Sequence, residues 1–482
     1  MVKTLLGGLR LAWVPILVTY FCYGASMVTA VADIFFQKNI LHLAPAESAA
    51  VAFWVTLPWS MKMVAGVASD IYPIFGSRRV AYLIAGAACS LGGFAMLAAR
   101  VDTRGAYLVA TLLVAVGFMV QDVVADALSV EVARDDEELG QIQTLGRMAL
   151  LAGGISVGYL SGWLADTIGS RGTFAAAAAL PALVALSVVF LRSAPPRAVP
   201  SRAEGPLAGG RAHLVMAVGL AYAALGVTLE SLGVRFSKEI VLIVSIVLIG
   251  LLLKRVGISR GVAVASIVIF LFRATPTVGQ GYSFWAIDRL GFDQRFLGVL
   301  AQVSAVVGLV GLLVFRKTIV KRPVSFTLLW VVLAGAVLYL PNIGLFYGLH
   351  ERLGVSARTL AFIDTTISAP LAQLTMVPML ILIAKTAPRG AEATMFAIMA
   401  SLMNLALSAS QLFTEYLNEL FQVTQRDYSN LGALMITVGV LGLLPLIALP
   451  LLWHQERQAP PPAAPDLVTG RLSASEPLAE RR

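Results

Sequence analysis

Two aspartates lie four residues apart at the end of a long apolar segment, in the stretch GFMVQDVVADALSVEV from Gly117 to Val132. Asp122 and Asp126 share one helix face, because residues i and i+4 are neighbours on a helix surface. Glu131 lies off that face. Carboxylates within hydrocarbon are costly and usually functional. Two interpretations are open: the close acids bind a proton between them, or they form ion pairs with cations on adjacent helices and act as a gate.

Three cationic residues within apolar segments are candidate partners for these acids or for an anionic ligand. Lys62 follows Trp59 by about one turn, Arg147 lies in LGRMALLAGG, and Arg273 lies in FLFRATPTVGQGYSFW, near the middle of its predicted span. Lys62 lies near a segment end, so its long side chain can also reach the membrane interface. Arg273 cannot do so, and Pro276 beyond it kinks the helix and frees backbone groups. We therefore expect Arg273 to face a partner or a water-filled cavity.

Further polar positions lie inside apolar segments near the C-terminal end. The stretch FIDTTISAPLAQLTMVPML carries Asp364, Gln373 and two prolines, which is typical of a helix that lines a cavity. Asp364 fits a second role equally well, because a carboxylate near a helix start also stabilises the helix N-terminus. Asn404 lies deep in the next apolar segment, where a buried amide needs hydrogen-bond partners.

Composition predicts that membrane-spanning helices position these residues. Of the 482 residues, 58% are hydrophobic and 13% are charged, and the mean hydropathy is +0.83. Soluble domains average about 25% charged residues. The apolar residues fall in blocks of roughly 20, the length of a helix that crosses a bilayer. We therefore predict an all-α polytopic membrane protein embedded in lipid.

The order of the blocks predicts two six-helix bundles with an extra pair of helices between them, about 14 spans in total. The first bundle occupies 1–191, with spans at 11–32, 48–66, 80–99, 105–127, 141–164 and 172–191. Residues 192–260 form a linker with two extra spans, at 213–233 and 239–253. The second bundle occupies 261–453, with spans at 261–286, 296–315, 325–346, 359–384, 391–416 and 430–453, and 454–482 form a disordered cytoplasmic tail. The block 239–253 is short, so an interfacial helix is the alternative for it.

The distribution of basic residues predicts the orientation of the chain. Arg134, Lys254 and Arg255 are among the many basic residues in loops on the side of both chain ends, and fewer lie in the other loops. Cytoplasmic loops are enriched in Lys and Arg. We therefore expect both termini to be cytoplasmic, in the inner or plasma membrane. The same bias explains the net charge of +9 without a nucleic-acid partner.

One loop between predicted spans resembles the loop signature of the major facilitator superfamily. In GVASDIYPIFGSRR, Gly76 follows Asp70 by six residues, where the usual spacing is three. Asp70 is expected to pair with Arg78 or Arg79, or to cap a helix, and so to latch a gate. A basic loop that only follows membrane topology is the alternative.

A row of glycines in the fifth predicted span indicates close helix packing. Gly154, Gly158 and Gly162 recur every four residues and so share one face. Small residues in such a row allow helices to approach closely in lipid. The stretch GWLADTIGSR that follows has the usual signature spacing but falls on the other side of the membrane, and we interpret it as a turn.

The sequence lacks a recognisable catalytic set. Its four histidines lie in loops or at span ends without metal-ligand spacing: His42, His213, His350 and His454. No phosphate-binding loop or nucleophile elbow is present. We therefore predict that the chain is not an enzyme and uses no cofactor and no metal.

Several stretches together resemble the folate–biopterin transporter family, a branch of the major facilitator superfamily. In chain order they are DIFFQKNI, LPWSMKMVAGVASDIYPIFGSRRVAYL, QDVVADALSVE, FRATPTVGQGYSFWAIDRLGF and DTTISAPLAQLTMVPMLILIAKTAPRGAEATMFAIMASLMN. The chain departs from the family at Met63, because a proline often follows the lysine of the PW…K motif. The central pair of spans is also not universal in such transporters.

The resemblance implies a secondary transporter that moves folate or pterin-like anions by alternating access, with protons as the coupling ion; we expect it to be a monomer. Folates carry carboxylates, which cations bind well in a cavity of low dielectric constant, and a pteridine ring, which stacks on aromatic side chains. The expected substrate-binding residues are Arg273, Lys62, Trp59, Tyr282, Trp285, Asp364, Gln373 and Asn404, with Trp54, Phe272 and Phe284 as further stacking faces. The expected proton-coupling or gate residues are Asp122, Asp126, Arg147, Asp70, Arg78 and Arg79.

Two alternatives stay open at the level of sequence. The first is a transporter of the same fold for another solute, such as a peptidoglycan fragment or a drug. The second is a membrane scaffold that transports nothing. A scaffold has no need of acids and cations in the bilayer, where each is costly, so transport is the favoured function.

Overall fold

The computed structural model describes residues 10–193, 210–386 and 392–458. The regular secondary structure in these ranges consists of helices. Residues 194–209 of the predicted linker segment and residues 459–482 of the predicted tail lie outside the described residues. The last helix extends to Gln458, so the predicted boundary at 453 is five residues too early. Its final turn is polar, and sequence hydropathy alone placed the end of the helix too soon.

Six helices account for the N-terminal part of the chain. They are α1 (Leu11–Ile40), α2 (Pro45–Ile71), α3 (Val80–Ala99), α4 (Arg104–Val132), α5 (Asp136–Thr167) and α6 (Gly169–Leu191). Several exceed the predicted bounds; α4 continues to Val132, so Asp122 and Asp126 lie well inside it. The Asp135 carboxylate accepts a hydrogen bond from the Glu138 N–H and caps α5, which lets that helix begin before its apolar segment.

The remaining long helices follow residue 209. They are α7 (Gly210–Ser231), α8 (Ser237–Val256), α9 (Arg260–Arg273), α10 (Gln280–Leu290), α11 (Gln294–Lys321), α12 (Val324–Phe346), α13 (Ala357–Thr386), α14 (Glu392–Leu420) and α15 (Leu431–Gln458). Within the described ranges, twelve helices are long and apolar enough to cross a membrane.

Two of the fourteen predicted spans are not among those twelve. The predicted span 261–286 is interrupted between Arg273 and Gln280, where Pro276 cannot continue a helix. Helix α8 has 20 residues, and its ends carry Lys238, Glu239, Lys254 and Arg255. At about 1.5 Å per residue it is roughly 30 Å long, enough to reach across hydrocarbon. The total of fourteen spans stays a prediction.

Helices from the two ends of the chain pack against each other in two pairs. Helix α2 packs along α14, and α5 packs along α11. The extra helices lie beside the first pair, because α7 contacts α2 and α8 contacts α14. Arg10 near the start of α1 pairs with Glu138, and Glu456 near the end of α15 accepts from Ser325. We call the side of these contacts the terminal side and the other the opposite side.

A capped helix on the opposite side offers a test of local stability. The Asp293 carboxylate accepts from the Phe296 N–H at the start of α11 and from Arg358 Nη2, each at 2.8 Å. Burial works against ionisation, but these two hydrogen bonds outweigh it and hold the pKa of Asp293 below its usual range. We expect Asp293→Ala to lower the free energy of unfolding by about 1 kcal/mol, the typical value of a cap.

The pH dependence of this loss follows from the lowered pKa. The stabilisation is fully present above the unfolded pKa of about 3.9 and is lost as pH falls through the folded value. In detergent, Asp293→Ala should therefore unfold at a lower temperature than the native chain near neutral pH. The difference between the two unfolding temperatures should be smaller in acid. Asp293→Asn, which keeps a capping oxygen, is the control. Equal unfolding midpoints for Asp293→Ala and the native chain at neutral pH would contradict the cap.

Candidate functional site

A cluster of charged residues lies between α1, α2, α4 and α5 in the half of these helices near the terminal side. Lys62 Nζ forms an ion pair with Asp122 Oδ2. The Asp122 side chain is 9% exposed and that of Lys62 31% exposed. A buried acid without a cation would be strongly destabilising, so Lys62 compensates Asp122. We call Tyr20, Lys62, Asp122, Asp126 and Arg147 the acid–base cluster.

A break in α2 positions Lys62. Residues Leu57–Met61 form a 3-10 turn around Pro58, between two α-helical parts of α2. Such turns within helices often mark functional positions. The Trp59 carbonyl at this turn accepts a hydrogen bond from Asn404 Nδ2 of α14 at 3.0 Å. Asn404, predicted to bind substrate, thus joins the two ends of the chain at the break in this structure.

Asp126 has a different partner from Asp122. The Tyr20 hydroxyl of α1 donates to Asp126 Oδ1. The side chain of Asp126 is exposed, and so is that of Arg147 on α5. Arg147 is close enough for its charge to act on Tyr20 and Asp126. However, no carboxylate of the described residues forms an ion pair with Arg147. Asp126 and Arg147 thus both keep exposed surface, and the expected Arg147–carboxylate bridge is not formed among the described residues.

Aromatic rings lie beside this charge cluster. The Lys62 ammonium lies 4.8 Å from the centroid of the Trp59 ring, a favourable cation–π arrangement. Tyr23 stacks on Trp59 with ring centroids 5.0 Å apart and an angle of 24°. Sequence analysis missed Tyr20 and Tyr23. Their spacing of three residues, which puts both on one face of α1, was the available signal.

The loop between α2 and α3 forms a second ion-pair network. Arg79 binds Asp70 at 2.6 Å and Glu131 at 2.7 Å, and it donates to Ser69 Oγ at 2.6 Å. Burial works against its charge, but Glu131 and Asp70 outweigh burial and raise the pKa of Arg79. The expected pairing of Asp70 with an arginine is present, and Arg79 is that arginine. Arg78 is exposed and makes no ion pair among the described residues.

The interruption between α9 and α10 is held by one face of α14. Ser410 Oγ donates to the Thr275 carbonyl at 2.7 Å, Thr414 Oγ1 accepts from the Thr277 N–H at 2.9 Å, and Asn418 Nδ2 donates to the Val278 carbonyl at 3.2 Å. The three side chains recur every four residues and so form one row. They satisfy the backbone groups that the break exposes, as bilayer structure requires. This row was not found from the sequence.

Arg273 is the last residue of α9 and lies directly before that break. Its Nε is buried without a hydrogen-bond partner, and no acid among the described residues forms an ion pair with its guanidinium. An unpaired arginine among membrane helices is costly. Among the described residues, no acidic side chain therefore compensates the charge of Arg273.

A cavity of about 540 Å³ lies within the C-terminal helices. It is lined by the break and by α12, α13 and α15, and includes Phe272, Tyr282, Tyr339 and Asn342. Arg273 is not among its lining residues. Each half of the chain thus has its own group of polar and aromatic side chains.

Asp364 lies next to this cavity and is not a helix cap. Asn342 Nδ2 donates to Asp364 Oδ2 at 2.8 Å. The cap of α13 is Ser356, whose hydroxyl accepts from the Thr359 N–H. Asp364 lies about two turns further along, so the N-terminal cap interpretation is wrong.

Several predicted stacking faces are buried in this structure. Trp285 is 6% exposed and packs against Tyr282 and Phe346. Trp54 is 5% exposed and Phe284 is fully buried. These three rings contribute to the hydrophobic core, and their role in substrate stacking stays a prediction. The side chain of Gln373 lies outside the described part.

Contacts on the opposite side join the two ends of the chain. Lys38 Nζ and Tyr428 Oη both bind Asp288, at 2.8 and 2.7 Å, and Arg295 binds Asp166 at 2.6 Å. The predicted close-packing face is confirmed at Gly162, where a Cβ atom would lie 2.1 Å from the Gln294 carbonyl oxygen of α11. The acid–base cluster retains exposed side chains, whereas these helices are sealed together on the opposite side. The ion pairs that join the two ends of the chain among the described residues therefore lie on the opposite side.

The family model for the BT1 family matches residues 24–461 of this chain. The chain belongs to the BT1 family. It is 28% identical over 454 residues to the folate-biopterin transporter of Synechocystis sp., covering 93% of this chain and 83% of that protein. It is 23% identical over 433 residues to folate transporter 1 of Plasmodium falciparum, covering 88% of this chain and 76% of that protein.

Solved transporter structures share the fold of this BT1-family protein. The POT family transporter PepTSo aligns with a TM-score of 0.66 at 13% identity, over 93% of this chain and 99% of that one. The nucleoside transporter NupG aligns with a TM-score of 0.59 at 14% identity, over 92% and 99% of the two chains. Such low identity supports the fold alone. The prediction of an integral membrane protein with the major facilitator fold is confirmed, and so is the prediction of a transporter, not an enzyme.

Proposed function

We propose that this BT1-family transporter carries a folate or a pterin across the membrane by alternating access. The observation that carries the proposal is the open cluster in which Lys62 lies over Trp59 and Trp59 stacks on Tyr23. A cation beside stacked aromatic rings matches a ligand with carboxylates and an aromatic pteridine. The names of the Synechocystis and Plasmodium relatives support the same substrate class.

The residues divide between two roles in this proposal. Lys62, Trp59 and Arg273 bind the substrate, with Tyr282, Trp285, Asp364, Gln373 and Asn404 as further candidates on the C-terminal helices. Asp122, Asp126 and Arg147 couple proton binding to the movement, while Asp70, Arg78 and Arg79 hold the loop at the terminal side. The coupling ion is a proton, because the cluster contains an acid, Asp126, whose side chain accepts a hydrogen bond from a neutral tyrosine.

The proposed moving parts are the two six-helix bundles. Residues 1–191 and 261–453 rock against each other about the α2–α14 and α5–α11 contacts, and 192–260 lie outside these two bundles. The protein acts as a monomer in the plasma or inner membrane. Its termini are cytoplasmic, as the basic residues of the terminal-side loops favour.

The unpaired Arg273 provides the sharpest test of the substrate class. We expect Arg273→Gln to weaken transport of an anionic folate at least about tenfold while an uncharged pterin is affected much less, because only the folate loses a charge-assisted bond. Arg273→Lys keeps the charge but loses the planar donor fork, so it should be intermediate. The measurement is uptake of both labelled compounds into proteoliposomes.

The matched control is Arg352→Gln, because Arg352 is an exposed arginine on the opposite side without an ion pair among the described residues. If Arg273→Gln reduced uptake of both compounds equally while the protein stayed folded, Arg273 would be a structural or gating residue. If the native protein moved neither compound, the folate–pterin proposal would fail, and other solutes such as a peptidoglycan fragment or a drug would take its place.

A further inference from the structure

A second membrane-embedded acid, Asp33 of α1, accepts hydrogen bonds from two neutral side chains. The Tyr107 hydroxyl of α4 donates to its Oδ1, and Gln37 Nε2 donates to its Oδ2 at 2.8 Å. No cation of the described residues forms an ion pair with it. A carboxylate in this setting is costly when ionised, and binding a proton removes that cost.

At this end of α1 and its neighbours, three cations are engaged elsewhere, and the exposed Arg289 of α10 forms no ion pair among the described residues. Lys38, further along α1, binds Asp288 of α10, which also accepts from Tyr428. Arg171 of α6 lies over the Phe36 ring but pairs with Asp102. Arg295 of α11 pairs with Asp166 of α5. Among the described residues, Asp33 therefore has Gln37 and Tyr107 as its hydrogen-bond partners.

The buried side-chain amide of Gln37 is a second feature of this site. It is 6% exposed, and its Nε2 donates both to Asp33 and to the Tyr107 hydroxyl, the latter at 2.9 Å. Its Oε1 is buried and has no hydrogen-bond donor. A buried amide oxygen without a donor is rare and needs an explanation. A proton on Asp33 would supply the missing donor once the Gln37 amide group rotates by half a turn, so that its Oε1 faces Asp33.

We propose that Asp33, Gln37 and Tyr107 form a proton-binding site, separate from the acid–base cluster. In the loaded state the Asp33 carboxyl donates to Gln37 Oε1; in the empty state the carboxylate accepts from Gln37 Nε2 and Tyr107, as seen here. Asp33 is partly exposed, so water can deliver the proton and take it away. The inference rests on the proposed function only for the step from proton binding to transport.

The site lies beside the contacts that seal the opposite side. Phe36–Ile40 form a π-helical turn, a feature often found at functional sites. Lys38 in that turn is 7% exposed and reaches across to Asp288 on α10. Neutralising Asp33 removes a negative charge about one turn from Lys38. Loading and release of the proton are thereby linked to the strength of the Lys38–Asp288 contact.

The test measures proton binding without any substrate. Infrared difference spectra of the purified full-length protein, taken between acidic and basic pH, should contain a protonated-carboxyl band from Asp33. We expect Asp33→Asn to lose this band. Asp166→Asn, which removes an acid that has its own arginine, should keep it. Retention of every band in Asp33→Asn would overturn the site.

Tyr107→Phe provides a second variant if Asp33→Asn fails to fold. It removes the hydroxyl that stabilises the carboxylate, so the band should appear at higher pH than in the native protein. An unchanged midpoint would contradict the proposal.

Transport assays then separate this inference from the proposed substrate. Asp33→Asn should still exchange labelled substrate across vesicles at equal pH but lose accumulation driven by a pH gradient. A native protein that shows the Asp33 band but moves no folate or pterin would retain the proton site and lose the substrate proposal. Gradient-driven accumulation in Asp33→Asn equal to that of the native protein would exclude Asp33 from coupling.

Discussion

Asp122→Asn is expected to destabilise the protein by about 3 kcal/mol and to abolish transport. The substitution removes the carboxylate that compensates Lys62 and leaves an ammonium group among membrane helices. Breaking a buried ion pair on one side typically costs about 3–5 kcal/mol. The lower end applies because Lys62 is 31% exposed and water can screen part of its charge. Thermal unfolding in detergent and uptake into proteoliposomes measure the two effects.

The double variant Lys62→Met with Asp122→Leu separates stability from function. Replacing both partners with apolar groups leaves no uncompensated charge, so stability should return to near the native value or exceed it. Transport should stay absent, because the cation over Trp59 is lost. Recovery of transport in the double variant would show that the pair is only structural.

Asp126→Asn is the matched single substitution on the same helix face. Asp126 is exposed and held by a neutral tyrosine, so its loss leaves no buried charge behind. We expect a stability change of less than about 1 kcal/mol, the size of an ordinary hydrogen bond. A larger loss than that of Asp122→Asn would contradict the assignment of partners in the acid–base cluster.

Gly162→Ala is expected to prevent the opposite side from closing. The added Cβ would lie 2.1 Å from the Gln294 carbonyl oxygen and 2.8 Å from Gly298 Cα, both of which are backbone atoms of α11 that cannot turn aside. Overpacking of this kind costs about 1–3 kcal/mol, equivalent to a population shift of roughly 5- to 150-fold. This cost applies only to the conformation in which the opposite side is closed, as it is in this structure. The conformation in which the opposite side is open therefore gains population, and transport falls.

Gly154→Ala on the same helix is the control for this prediction. A Cβ at Gly154 would meet its nearest neighbour at 3.8 Å, an ordinary contact. Both substitutions have the same effect on helix propensity. Spin labels at the exposed Asp102 and Glu351 positions on the opposite side should lie further apart in Gly162→Ala than in Gly154→Ala. Equal distances would show that the α5–α11 contact does not limit closure.

The sequence by itself determined the helices and where one of them breaks. Apolar blocks of roughly 20 residues can satisfy their backbone groups in lipid only as helices. Pro276 cannot donate a backbone hydrogen bond, so the interruption between α9 and α10 could be predicted from its position. The ion pair of Asp70 with a nearby arginine followed from proximity along the chain. Hydropathy placed several helix ends too early, because polar turns and caps continue a helix beyond its apolar part.

Only the tertiary structure decided which side chains meet. The i, i+4 spacing puts Asp122 and Asp126 on one face of α4, but it does not say which helix lies opposite. Packing set Lys62 against Asp122 and Tyr20 against Asp126, and left Arg147 without an ion pair. The row of Ser410, Thr414 and Asn418 is recognisable only once α14 lies along the break that these residues fill. Helical periodicity shows on which face of a helix a residue lies. It does not show which residues of other helices lie opposite, or at what depth in the membrane, because both depend on how all the helices pack together.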